Sequence, residues 1–225
     1  MPVKVDNALV QSEGLGKALD NHKEAIVTKG NGQKRIDDLN SSHQNLVKTN
    51  SSQISAQTKM EGRTTEKNNA VQAVKDAVAS VDNAAKSAFE NEPAKLKEFR
   101  IGVTKPKTDQ AWVAYMDYMT GPVHANSDAL IANGMTAEDV ENFPTLYANL
   151  VAAIAAQKNA TKVRNAATDT RDAALRDLNN KISATRNFAR VALKGDKTAL
   201  EEIKPIKKGR GKGGKTPPTP EPPKK

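Results

Sequence analysis

The stretch VQAVKDAVASVDNAAKSA at residues 71–88 decides the fold class. Val71, Val74, Val78, Val81, Ala85 and Ala88 recur at alternating spacings of three and four, the period of one helix face. Lys75, Asp76, Ser80, Asp82 and Lys86 fill other positions and would keep the opposite face in water. The run ends before Pro93, because the residue preceding a proline avoids the α region.

Upstream, the same period runs through Leu15, Ala18, His22, Ala25, Lys29, Gly32, Ile36, Leu39, His43, Leu46, Asn50, Gln53, Gln57 and Met60. Leu19, Ile26, Val47 and Ile54 widen this seam. The phase survives Lys29-Gly-Asn-Gly32, so two readings stand. One is a single long helix over about 7–60, weakened by two glycines at about 1 kcal/mol each relative to alanine. The other is a break, since Asn-Gly is a turn dipeptide. Gly62 to Thr65 reads as a tight reversal between this helix and the valine-striped one.

Downstream, residues 93–107 with Pro93, Gly102 and Pro106 read as a connector. A third helix starts at Thr108 or Asp109, presents Trp112, Tyr115, Met116 and Met119, and is expected to break at Gly121-Pro122, with Pro122 opening a short segment to Ala132. Thr136-Ala-Glu-Asp139 resembles a capping box. It opens a fourth helix carrying Val140, Phe143, Tyr147, Leu150 and Ile154, with Pro144 absorbed near its start. Its seam turns polar at Gln157, Thr161, Arg164, Thr168 and Arg171, becomes apolar again at Leu175, Leu178 and Ile182, and fades after Leu193-Lys-Gly195.

Two long helices around two short ones predict an all-α antiparallel four-helix bundle, extended by a two-helix coiled-coil stalk and followed by a disordered basic C-terminal tail. The expected division is a flexible N-terminus at 1–6, the bundle at 7–195 and a Lys/Gly/Pro-rich tail at 196–225. Aligned from their shared end, the long helices would set 157–171 opposite 26–40, a weakly apolar middle.

Hydrophobic residues make up 37% of the chain and aromatics 4%, which suits thin helical seams better than a thick globular core. Residues 204–225 hold eight Lys or Arg and one acid, Glu221, while the other 203 residues hold 27 basic and 25 acidic side chains. The formal +9 is therefore concentrated in one appendage. Lys204, Lys207, Lys208, Arg210, Lys212 and Lys215 are the candidate contacts to an anion or to nucleic acid. No aromatic lies among them for a base to stack on.

With no cysteine there is no disulfide, thiolate metal site or Cys nucleophile. His22, His43 and His124 form no metal-ligand spacing, and His22 and His43 sit on seam positions suited to fixing register. Gly209 to Thr216 matches a P-loop formally, but Pro217, Pro218 and Pro220 forbid the helix that such a loop requires. Trp112, Tyr115, Tyr118, Phe143 and Tyr147 are read first as core and second as a ligand pocket. No catalytic, cofactor or metal residue is assigned, and no small-molecule substrate is evident. The N-terminus lacks a signal-peptide pattern and the Leu146–Ala156 apolar stretch is too short for a bilayer, so the expected compartment is the cytoplasm, with signal-free secretion left open.

The segments TTEKNNAVQAVKDAVASVDNAAKSA (64–88), LIANGMTAEDVENF (130–143) and NATKVRNAATDTRDAALRDLNNKI (159–182) resemble uncharacterised helical-bundle proteins of bacteria over residues 7–193. The resemblance implies a long first helix, a turn at Thr64-Thr65, a restart at Gly134-Met-Thr-Ala and a long last helix, with no activity to transfer. The functional expectation is a non-enzymatic structural or interaction protein, a helical spacer or scaffold presenting a basic tail to a protein partner or self-associating. The alternative is a nucleic-acid-associated protein that binds phosphates non-specifically through 204–225.

Overall fold

A computed structural model describes residues 2–206, and among them every regular element is a helix. In order these are α1 (Pro2–Asn21), α2 (Lys23–Val27), α3 (Gly32–Ala88), α4 (Pro93–Glu98), α5 (Asp109–Ala125), α6 (Ser127–Ala132), α7 (Ala137–Ala192) and α8 (Lys197–Glu202). The protein is all-α. Two compact units divide the chain: one takes residues up to Asn50 and from Thr170 onward, and the other is Ser51–Asp169. Both α3 and α7 supply residues to each.

The reversal lies at residues 28–31, and residues 62–65 do not turn. Gly30 has φ +57°, the left-handed region that glycine enters without penalty. α3 runs through Gly62 without interruption. Thr64 and Thr65 donate their Oγ1 hydroxyls to the carbonyls of Met60 and Glu61, so both β-branched residues are satisfied within the helix. Residues 2–6, expected to be flexible, are the first turns of α1, with Val5 buried. Pro122 does not break α5, which passes through it to Ala125 and yields to α6 at Asn126.

The first unit packs Val5, Ala8, Leu15 and Leu19 of α1 and Ile26 of α2 against Ile36, Leu39 and Leu46 of α3 and Leu178, Ile182 and Leu193 of α7. Its register is antiparallel. Lys181 Nζ meets Asp38 at 3.0 Å, and Ser42 Oγ donates to Asp177 at 2.6 Å. The two seam histidines of this unit are both partnered. Ser12, almost fully buried on α1, donates to the Leu9 carbonyl at 2.8 Å and its Oγ lies 2.7 Å from His43 Nδ1 on α3. One hydroxyl proton cannot serve both acceptors, so with it on Leu9 the His43 ring carries its proton on Nδ1.

The second unit builds its core from the valine stripe. Val74, Val78, Val81 and Ala85 of α3 pack with Trp112, Tyr115, Met116 and Met119 of α5 and Phe143 and Leu150 of α7, and Phe89 stacks on Phe99 at 5.6 Å. Thr136 and Asp139 cap α7 reciprocally: Asp139 N–H donates to Thr136 Oγ1 at 3.1 Å, and Thr136 N–H donates to Asp139 Oδ2 at 3.1 Å. Ala56, Lys59, Gly62 and Arg63 share one groove with Ala156, Asn159, Ala160 and Val163. The α7 segment that carries the polar seam within this unit therefore lies opposite α3 beyond residue 50. The expected pairing of 157–171 with 26–40 fails because the chain has already reversed at Gly30.

Candidate functional site at the root of the basic tail

Of the six cationic residues singled out in the tail, the structure places Lys204, and Lys207, Lys208, Arg210, Lys212 and Lys215 lie outside the described residues, as does the Gly209–Thr216 P-loop match. Lys204 is exposed, and its ammonium pairs with Glu201 one turn earlier. That pairing partly satisfies its charge locally.

The route into the tail is fixed by α8 and the residues after it. Gly195 closes α7 with φ +103°, and Asp196 caps α8 by accepting the Ala199 N–H at 3.0 Å. Ala199 and Ile203 are buried in the core of the first unit. Residues 197–203, assigned to the tail segment by the sequence but open there to a short helix, are thus an anchored helix and its last turn. At the α8 end, Glu202 accepts from Asn21 Nδ2 at 3.1 Å and pairs with His22 Nε2 at 3.2 Å.

Two further side chains and one glycine hold the segment 203–206. Arg186 on α7 donates Nε to the Ile203 carbonyl at 2.8 Å and Nη2 to Gln11 Oε1 at 3.2 Å. Gln11 on α1 donates Nε2 to the Ile206 carbonyl at 2.6 Å, and its Oε1 accepts the Ile206 N–H at 3.1 Å. Gly14 completes the seat, because a Cβ there would stand 2.5 Å from Ile206 Cδ1. Burial, and then the neighbouring charge of Arg190, lower the Arg186 guanidinium from its ordinary range. It remains a cation, as arginine does in proteins.

Spacing does not single out Gln11, Gly14 and Arg186. Gln11 and Arg186 flank apolar seams and look solvated in the linear pattern. What they bond is a backbone remote in sequence, which no local period encodes.

Elsewhere the aromatic group divides. Trp112, Tyr115 and Phe143 are core of the second unit, Tyr147 is half-buried and Tyr118 is exposed. The coulombic field of Asp117, with smaller contributions from burial and a hydrogen bond to the same carboxylate, raises the Tyr147 phenol. Among the described residues no group of three His, Cys, Asp or Glu could hold a metal ion. None of the described helices is long and apolar enough to cross a membrane. Compared with family models, with curated proteins and with solved structures, the chain matches none of them.

Proposed function

We propose that this is a non-enzymatic structural or interaction protein, a helical scaffold that presents the Lys/Gly/Pro-rich segment after Ile206 from a fixed root. The observation that carries the reading is the grip of Gln11 and Arg186 on residues 203–206. A segment serving only as a solubilising appendage needs no such attachment, whereas one that must meet a partner from a defined place gains from losing less freedom on binding.

The finer architecture belongs to the same reading. In the second unit, the groove from Ala56 to Glu66 and from Ala156 to Val163 is lined by α3 and α7 alone, as a two-helix coiled-coil stalk would be. Ala56 is the only buried residue described between 51 and 66. Long paired helices with so thin a seam serve better as a spacer than as a container for a ligand.

The contact made by the tail is electrostatic, with Lys207, Lys208, Arg210, Lys212 and Lys215 as the contacting groups and an acidic protein surface as the partner. The test titrates the full chain and a chain ending at Ile206 with polyglutamate and with a DNA 20-mer at two salt concentrations. Ending at Ile206 keeps Ile203 and Ile206 in their seats. Tail-dependent, salt-sensitive binding of polyglutamate supports the proposal. Tail-dependent binding of DNA alone favours the nucleic-acid alternative. Equal behaviour of the two chains toward both polymers removes the tail from the function.

A further inference from the structure

The connector between α3 and α5 carries Lys95, Lys97, Arg100, Lys105 and Lys107 against one acid, Glu98, over residues 93–107. Two of these charges are compensated in place. Lys95 pairs with Glu98 at 3.3 Å, and Lys105 pairs with Asp82 at 2.8 Å. Burial works to lower the Lys105 ammonium, but its hydrogen bonds to Asp82 and to the Tyr115 hydroxyl outweigh that and raise it, so the charge is kept.

Arg100 is different. It has φ +52°, the one non-glycine residue with positive φ among those described. An L-residue there costs about 1–2 kcal/mol. The strained backbone aims the side chain at aromatic faces: its guanidinium carbon lies 4.1 Å from the Tyr118 ring centre and 5.6 Å from that of Tyr115. No carboxylate among the described residues lies within ion-pair reach of it. Lys105 approaches the same Tyr115 ring at 4.9 Å. Tyr118 stays 41% exposed beneath its cation. Lys97 and Lys107 are exposed, and neither pairs with a carboxylate among the described residues.

We propose that Arg100 and Tyr118, together with the connector that also carries Lys97 and Lys107, form a binding surface for single-stranded nucleic acid on the second unit, separate from the tail. A guanidinium held 4.1 Å over a ring is pre-organised and leaves N–H donors for the bidentate acceptor geometry of a phosphate. Tyr118, still 41% exposed with the cation over one face of its ring, supplies what the tail lacks, an aromatic side chain against which a base can pack. An acidic peptide would use the charges but not the ring, and this decides the choice of partner.

The test measures binding of fluorescent oligo-dT and oligo-U to the full chain across a salt series, with polyglutamate as the competing polyanion. Arg100→Asn keeps a residue that tolerates positive φ and removes the guanidinium. It should weaken oligonucleotide binding about tenfold and lower the slope of log K against log salt by about 0.7. Tyr118→Leu should weaken binding while leaving that slope unchanged, since it removes stacking and no charge. Should Arg100→Asn unfold, as circular dichroism would show, Lys97→Gln with Lys107→Gln tests the charge of the same connector without touching the core. Lys194→Gln, an exposed lysine of the other unit, is the control and should change little. The proposal is overturned if the Arg100 and lysine variants behave like Lys194→Gln. It is also overturned if polyglutamate binding falls by the same factor in Tyr118→Leu, or if the unaltered chain binds neither oligonucleotide at low salt.

Discussion

Gln11 grips the backbone of Ile206 at two points, donating to its carbonyl and accepting its N–H, so one side-chain amide on the first helix takes the place of a strand partner for the last described residue. Each bond to a neutral group is worth about 1 kcal/mol net. Replacing Gln11 with Ala should therefore cost the protein little global stability and instead free residues 204–206. Trypsin, which does not cut Lys204 before Pro205, should then cut after Lys207 faster in Gln11→Ala than in the unaltered chain, because residues 205–206 must be free to enter the protease, at an unchanged melting temperature within a few degrees.

The turn at Gly30 makes a signed prediction. Alanine at Gly30 would occupy open space but at φ +57°, at a cost of about 1 kcal/mol or more. At Gly32 an added Cβ would stand 2.0 Å from the Ile26 carbonyl oxygen, a backbone atom that cannot swing away. Gly32→Ala should be the more damaging of the two in urea denaturation. Both changes should destabilise, the opposite of the gain expected were 29–32 a continuous helix.

Gly62 carries the converse prediction. It lies inside α3, and a Cβ added there would meet nothing within 4 Å. Gly62→Ala should stabilise by about 1 kcal/mol in the same denaturation experiment. A loss of stability there would restore the reversal that Gly62-Arg-Thr-Thr suggests in the linear pattern.

The helices are legible in that pattern, and the topology is not. Val71 to Ala88, Trp112 to Met119 and Val140 to Leu150 are stripes whose spacing is the helix itself, and the structure buries most of them. The break between Val27 and Gly32 spans four residues, close to one helical turn of 3.6. The hydrophobic phase therefore crosses a real turn unbroken, and periodicity alone cannot separate the two. Val47 and Ile54 widen the expected seam yet are 44% and 56% exposed, because the helices pair in a different register from the one their phase suggests. The root of the tail is illegible for another reason: Gln11, Gly14 and Arg186 act on a segment remote in sequence.

Burial separates Leu46 from Ile54 along the same helix. Leu46 is fully buried, so Leu46→Ala should cost about 2–5 kcal/mol. Ile54→Ala should stay within about 0.5 kcal/mol, the range of surface changes. Denaturant midpoints of the two variants check the pair.

Acid should loosen two specific contacts. The hydrogen bond from Lys181 holds the Asp38 carboxyl below the usual carboxylate range, and the Thr136 hydroxyl and then its backbone N–H do the same for Asp139. A carboxyl whose folded pKa is depressed stabilises fully above its unfolded value of about 4 and loses that contribution as pH falls through the folded value. Melting temperatures between pH 5 and pH 2 should fall less steeply in Asp38→Asn and in Asp139→Ala than in the unaltered protein.

Amide hydrogen exchange at Ile206 tests the anchored root most directly. In the unaltered chain this N–H, bonded to Gln11 Oε1, should exchange well below the rate of an unstructured peptide, and in Gln11→Ala it should rise to that rate while the buried Leu178 amide stays protected. An Ile206 amide that already exchanges at the unstructured rate in the unaltered chain would contradict the anchored root and, with it, the proposed presentation of the tail.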